Sequence, residues 1–215
     1  MRDFGKDILY CLGYGENEPD GRTAELIEKI KNEAVSALTP KAVHGTFSVS
    51  ELSFSGGDIA AHLEGAEKCI LFAATLGAES ERMSALYQRT DMEKAVIFDC
   101  VCDAFIEAFS DEYCDALLKE YREKELYLNT RFSAGYGDFG IEHQKDFITL
   151  LNCERNIGLT VNESSVLIPR KSITGVMGIF TSPPKGRQRG CAACNMASRC
   201  RMKGKGKCLR QTDFT

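Results

Sequence analysis

The chain has 215 residues, 43% of them hydrophobic and 27% charged, with a net charge of −4. These values fit a folded globular chain with a real core and exclude a disordered or collagen-like one. No apolar run approaches the roughly 20 residues that span a bilayer, and the charged N-terminus carries no signal-peptide stretch, so a cytoplasmic location is expected. The charge is uneven: from Lys185 onward nine Lys/Arg meet one acid, giving +8 and leaving −12 on the preceding 184 residues. An acidic body with a short basic tail is not the pattern of a nucleic-acid binder.

Taken in chain order, Asp20-Gly21 opens a helix whose apolar positions are Ala24, Ile27, Ile30, Ala34 and Leu38, and Pro40 stops it. Residues 41–54 alternate loosely through Val43, Phe47, Val49 and Leu52, the pattern of a strand pair. Ser55-Gly56-Gly57-Asp58 breaks the chain and caps a short helix reaching Leu63. The unbroken apolar run Cys69–Leu76, closed by Gly77, predicts a buried central strand. Residues 78–90 and 92–124 read as helices, and 141–156 as another that stops near Gly158. Val161, Val166 and Ile168, then Ile173, Val176 and Ile179, predict two closing strands.

Strands first and last with long helices between predict an α+β fold: helices packed on a twisted, mostly antiparallel sheet. A change to polar, basic, Gly-rich sequence at Ser182-Pro183-Pro184 places a boundary there, giving a domain over 1–182 and a Cys-rich tail over 183–215.

The segment Arg131-Phe-Ser-Ala134-Gly135-Tyr136 lies between the long helix and the next one. Arg131 offers a planar fork that matches a carboxylate, Gly135 permits an unusual backbone or close ligand approach, and Tyr136 offers a ring and a hydroxyl. Such residues also serve in purely structural turns. Arg131, Gly135, Tyr136 and Lys145 match the pattern Arg-x-x-x-Gly-Tyr-x-x-Cys-Pro-x-x-x-x-Lys, with Phe139-Gly140 in place of Cys-Pro. Through that pattern the chain resembles the C-terminal reactivation domain of cobalamin-dependent methionine synthase. The resemblance extends to Glu107-Ala108-Phe109, Glu125, the run Glu154 to Gly158 to Glu163, and Ser172-Ile-Thr-Gly175. It is dense over 99–180 and looser before that.

The resemblance implies the fold of that domain and a site for S-adenosylmethionine. Glu107, Glu125 and Arg131 would contact the ligand, with Ala134, Gly135 and Tyr136 from the loop and Met177 and Gly178 from the strand after Gly175. It implies a role as the activation component of a methyltransferase. The chain would support reductive methylation of cob(II)alamin on a separate corrinoid protein, with an electron from flavodoxin or ferredoxin. Two alternatives stay open: a reactivator of another corrinoid methyltransferase, and a zinc-knotted interaction module with a vestigial ligand pocket.

Ten cysteines in a cytoplasmic chain argue for thiols or metal ligands, not a disulfide framework. Cys69, Cys100, Cys102, Cys114 and Cys153 sit in apolar contexts and read as small core residues. Asp99 and Asp103, on one helical row with Glu107, read as a solvated face. His44, His62 and His143 are scattered, and Gly13-Tyr-Gly15 is too short for a nucleotide loop. In the tail, Cys191, Cys194, Cys200 and Cys208 form a C-x2-C-x5-C-x7-C series among basic residues. Four close thiolates suit either tetrahedral zinc or an iron–sulfur cluster. Metal and sulfide analysis of anaerobically purified protein separates these: about one zinc per chain without visible absorbance, or iron with acid-labile sulfide. Neither metal in stoichiometric amount would remove the metal reading.

Overall fold

The structure is a computed structural model that describes residues 3–184. Its centre is the apolar run foreseen from sequence, strand β2 (Lys68–Thr75), in which all but Lys68 are buried. Alternation sends Cys69, Leu71 and Ala73 to one face and Ile70, Phe72 and Ala74 to the other. Both faces are covered, which is why the strand reads as a continuous hydrophobic segment.

Strand β1 (Lys41–Ser48) pairs antiparallel with β2 from Lys41↔Thr75 to Ser48↔Lys68. The two-residue strand β3 (Tyr127–Leu128) and the long β6 (Ser172–Phe180) complete an antiparallel sheet of order β1-β2-β6-β3. Strands β4 (Thr160–Val161) and β5 (Leu167–Ile168) form a separate hairpin, Thr160↔Ile168.

One face of the sheet is covered by α1 (Gly5–Cys11), α2 (Gly21–Ala37), α4 (Ala78–Thr90) and the 32-residue α5 (Met92–Glu123). The core there runs from Ile30 and Ala34 through Phe98, Val101 and Phe105 to Phe72 and Met177. Asp20 caps α2 by accepting from Thr23 N at 3.1 Å, and Asp91 caps α5 by accepting from Lys94 N at 3.2 Å. The other face carries α3 (Gly57–His62), α6 (Gln144–Leu150) and α7 (Cys153–Ile157), with Ile59, Phe139, Phe147, Leu151 and Leu159 packed on Leu71 and Val176. The α+β class and mostly antiparallel sheet stand as expected.

Several local expectations change. Residues 41–54 hold one strand, because β1 uses the whole length of β2 as its partner; Val49 N donates to Glu67 O and a 3-10 turn follows at Val49–Glu51. The helix expected over 141–156 is broken at Asn152, whose φ of 47° is left-handed, and the side-chain amide of Asn156 donates back to Leu151 O at 2.9 Å. Of the two closing strands, only β6 enters the main sheet. Helix α1 and strand β3 carry too little periodic sequence to be read. Phe4, stacked on Phe105 at 5.5 Å, and Ile8 bury the α1 segment.

Cys69, Cys102, Cys114 and Cys153 are buried thiols, as expected of core residues. Cys100 is not a thiol: it forms a disulfide with Cys11, since α1 lies on α5 with the two Cα atoms 5.6 Å apart. Asp99 and Asp103 are not simply solvated, because Lys171 Nζ at the start of β6 lies 2.7 Å from a carboxylate oxygen of each. No described helix is long and apolar enough to cross a membrane.

The crosslink closes a span of 89 residues. Cys11→Ser is expected to destabilise the oxidised chain by about 2–4 kcal/mol, and reductant should lower the parent's melting midpoint comparably. Alkylation mass spectrometry showing free thiols at both positions in unreduced protein would contradict the pairing.

Candidate functional site

Helix α5 presents Glu107 and Asp111 on successive turns of one side. Opposite them, the chain after β3 runs beside β6. Asn129 N donates to Gly178 O, Gly178 N donates to the Asn129 Oδ1 at 2.7 Å, and Phe132 and Val176 exchange backbone bonds at 3.0 and 2.8 Å. This ladder fixes the Arg131 backbone at the sheet edge. The side chain then crosses Gly175, where a Cβ would overlap Arg131 Cγ. Gly175 is therefore the gap through which the guanidinium reaches the layer between sheet and helix.

There the Arg131 Cζ lies 6.0 Å from the Phe72 ring centroid. Nη2 donates to Glu107 Oε2 at 2.7 Å and to Asp111 Oδ1 at 3.3 Å. The three side chains are 14%, 30% and 20% exposed, in the order Arg131, Glu107, Asp111. Nη1 is buried and has no hydrogen-bond partner among the described residues. Burial raises the Glu107 carboxyl above the ordinary carboxylate range; Arg131 pulls the other way and the negative charge of Asp111 adds to the rise.

Of the residues picked from sequence, Arg131 and Glu107 are brought into direct contact. Glu125 is not part of that contact: it sits in the exposed turn past the C-terminal end of α5 with φ 58°, about four helical turns beyond Glu107. Ala134 is 8% exposed, in the cluster on the opposite face of the sheet. Gly135 adopts φ 93°, and its N–H donates to Phe139 O at 2.7 Å, closing the turn that carries Tyr136. The Tyr136 ring lies 6.4 Å from that of Phe132. Met177 is 1% exposed inside the α5-side core. Gly178 is buried beneath Phe180, whose ring a Cβ would meet at 2.8 Å. Lys145 reaches Glu163 O at 3.4 Å and ties α6 to the β4–β5 hairpin.

Asp111 was missed in the sequence, although its signal was present: it stands four residues beyond Glu107 and extends the same helical row. Gly175 and Phe72 carried no such signal, since their roles exist only where three segments meet. The histidines are not gathered. His44 Nδ1 bonds the Tyr113 hydroxyl at 2.8 Å, His62 stacks on Phe132 at 5.1 Å, and His143 lies in the aromatic cluster under the loop. Among the described residues no group of three or more His, Cys, Asp or Glu is placed to hold a metal ion. Cys191, Cys194, Cys200 and Cys208 lie outside the described residues.

The raised Glu107 fixes the sign of a pH effect. The folded state holds this proton more tightly than the unfolded state, so the contribution of Glu107 to stability falls as pH rises from the unfolded value through the raised one. Glu107→Gln should remove that limb from the stability–pH profile. A Glu107 side-chain NMR titration with its midpoint at or below that of an exposed glutamate would contradict the assignment.

Comparisons with known proteins agree with one another. The family described as "Vitamin B12 dependent methionine synthase, activation domain" matches residues 48–187. Among solved structures, the MetH reactivation domain bound to AdoHcy superposes with a TM-score of 0.58 at 19% identity, covering 81% of this chain and 70% of that one. No curated protein matches. With the family match spanning well over half its length, this chain belongs to the activation-domain family of vitamin B12 dependent methionine synthase.

Proposed function

We propose that this chain binds S-adenosylmethionine and supports the reductive methylation of cob(II)alamin carried by a separate corrinoid protein. The observation behind the reading is the buried Arg131 Nη1 with no hydrogen-bond partner among the described residues. A buried unpaired donor is costly, by about 1–3 kcal/mol or more for a charged group, and a ligand carboxylate is the acceptor a guanidinium takes best. The fold likeness to a reactivation domain that binds AdoHcy supports the same choice.

Charge agrees with the ligand. With Arg131 against ionised Glu107 and Asp111 the pocket carries one excess negative charge. S-adenosylmethionine, with a carboxylate, an ammonium and a sulfonium, carries one excess positive charge. Arg131 would take the carboxylate, while Glu107, joined by Asp111, would face the cationic end. Gly135 and Tyr136 would form the loop wall, Ala134 would set that loop's depth, and Met177, the member of the β6 pair that faces α5, would back the strand floor while Gly178 opens to the opposite face. Glu125, remote from this cluster, would touch another part of the bound molecule or none.

Cobalamin on the partner supplies the cobalt–carbon chemistry when bound. The work of this chain is to orient the methyl donor and to keep water from it at the sheet edge. The electron would come from flavodoxin or ferredoxin. We further propose zinc or an iron–sulfur cluster at Cys191, Cys194, Cys200 and Cys208.

Calorimetric titration with S-adenosylmethionine tests the reading. Saturable binding is expected in the parent, weakened at least about 30-fold in Arg131→Ala. Arg131→Lys should not restore it, because an ammonium lacks the planar fork. Absence of binding in a folded parent would overturn the reading.

A further inference from the structure

The loop that carries Arg131, Gly135 and Tyr136 is bolted to a remote turn, Ser55-Gly56-Gly57-Asp58, by a set of contacts that the ligand chemistry does not use. Asp138 is exposed, yet both its carboxylate oxygens are engaged: Oδ2 accepts from Gly57 N at 2.6 Å and Oδ1 from Asp58 N at 2.9 Å. The contact is reciprocal, since Asp138 N donates to Asp58 Oδ2 at 3.4 Å. Gly56 is shaped to it: at φ 130° a Cβ there would meet Asp138 Oδ1 at 2.7 Å and its carbonyl oxygen at 2.8 Å. The two backbone N–H groups hold the Asp138 carboxyl below the ordinary carboxylate range, so the clamp is ionised at neutral pH.

A second bolt lies five residues on. His143 Nδ1 donates to Asp146 Oδ2 at 2.8 Å, while Nε2 accepts from Ser55 N at 3.3 Å and bonds Ser55 Oγ at 3.0 Å. Because the Ser55 N–H can only donate, Nε2 is the acceptor nitrogen and the ring proton sits on Nδ1. Between the bolts Phe139 is fully buried, stacked on His143 at 5.1 Å and on Phe132 at 6.0 Å, with the Phe54 ring edge-on at 5.0 Å. These are the positions where the pattern Arg-x-x-x-Gly-Tyr continues with Phe139-Gly140 and not Cys-Pro. The Ser55–His143–Asp146 geometry resembles a hydrolytic relay, but the adjacent helix-start N–H groups that would hold an oxyanion are already filled by the Asp138 carboxylate.

We propose that Asp138 is a positioning residue: by clamping the 131–140 loop onto the Gly56-Gly57-Asp58 turn it holds Gly135 and Tyr136 in ligand-ready form beside Arg131. This inference rests on the S-adenosylmethionine reading for its ligand, but the clamp itself is independent of it. The turn at risk contains two left-handed glycines, Gly135 at φ 93° and Gly137 at φ 60°, and is closed by the bonds Gly135 N to Phe139 O and Phe139 N to Tyr136 O. Glycines free to take many conformations leave such a turn populated only while something outside it selects the closed form. A loop that is ligand-ready a fraction of the time binds more weakly by that fraction.

The experiment compares Asp138→Ala, Asp138→Asn and Gly56→Ala with the parent by NMR amide exchange and by S-adenosylmethionine titration. Asp138→Ala should lower the melting midpoint by only a few degrees, as loss of an exposed helix-start acceptor does, and leave the fold intact. It should speed exchange at Gly135 and Phe139 while leaving the β2 amides unchanged, and weaken binding about tenfold. Asp138→Asn, which keeps one acceptor oxygen, should fall between parent and Ala on both readouts. Gly56→Ala should reproduce the loss from the other side of the clamp. Unchanged exchange at Gly135 and Phe139 would overturn the clamp. Faster exchange with unchanged affinity would overturn its positioning role. A parent that binds no S-adenosylmethionine would defeat the functional reading, and the exchange arm alone would then decide whether the clamp exists.

Discussion

Strand β2 has to be covered on both faces, and the rest of the molecule follows from that requirement. Seven of its eight residues are buried, so neither side of the sheet is left to water. Transfer of that apolar surface out of water, at roughly 25 cal/mol per Å², is the term that draws α5 with α1 and α2 to one face and the α3, α6 and α7 layer to the other. The connection between these layers is the segment 124–143, which must leave the end of α5, run along the sheet edge and turn under the opposite face. The candidate site lies on that passage.

This route explains why the site is built from a charged cluster in a half-buried layer. Arg131 enters from the edge strand through the gap at Gly175 and meets α5 from the sheet side. Lys171 makes a similar crossing at the start of β6 to reach Asp99 and Asp103. Two cations from the sheet layer thus meet one acidic row on α5 at two heights. The Lys171 set likewise holds one cation against two carboxylates, and those carboxylates are half open to water. The Arg131 set is deeper, carries a protonation-sensitive glutamate and keeps a donor in reserve. Burial thereby separates a structural ion pair from one suited to a charged ligand.

On the other side of the sheet, aromatic packing performs the complementary task. Phe54, Phe132, Phe139, Phe147 and His143 form a contiguous cluster beneath the loop. A loop set on such a base presents its backbone in one arrangement, as binding loops on rigid scaffolds do. The loop's polar ties to the 55–58 turn add direction to that packing, because carboxylate-to-amide bonds fail quickly with angle.

The sequence by itself determined the class of the fold, the central strand, the three longest helices and the family, because hydrophobic period and a spaced motif are local properties of the chain. It also carried Arg131 through the motif and Glu107 through the wider resemblance, and Asp111 continues the same row of acids along α5. It did not determine that residues 41–54 hold one strand, since the length of a partner decides how far pairing extends. Nor did it place Cys11 against Cys100, 89 residues apart, or show that Glu125 lies past the end of α5, away from the ion cluster. Those facts, and the roles of Gly175 and Asp138, arise where segments distant in sequence touch. A period of two or 3.6 residues records which side of an element is buried but not which element buries it, and that choice was made only by the packed tertiary structure.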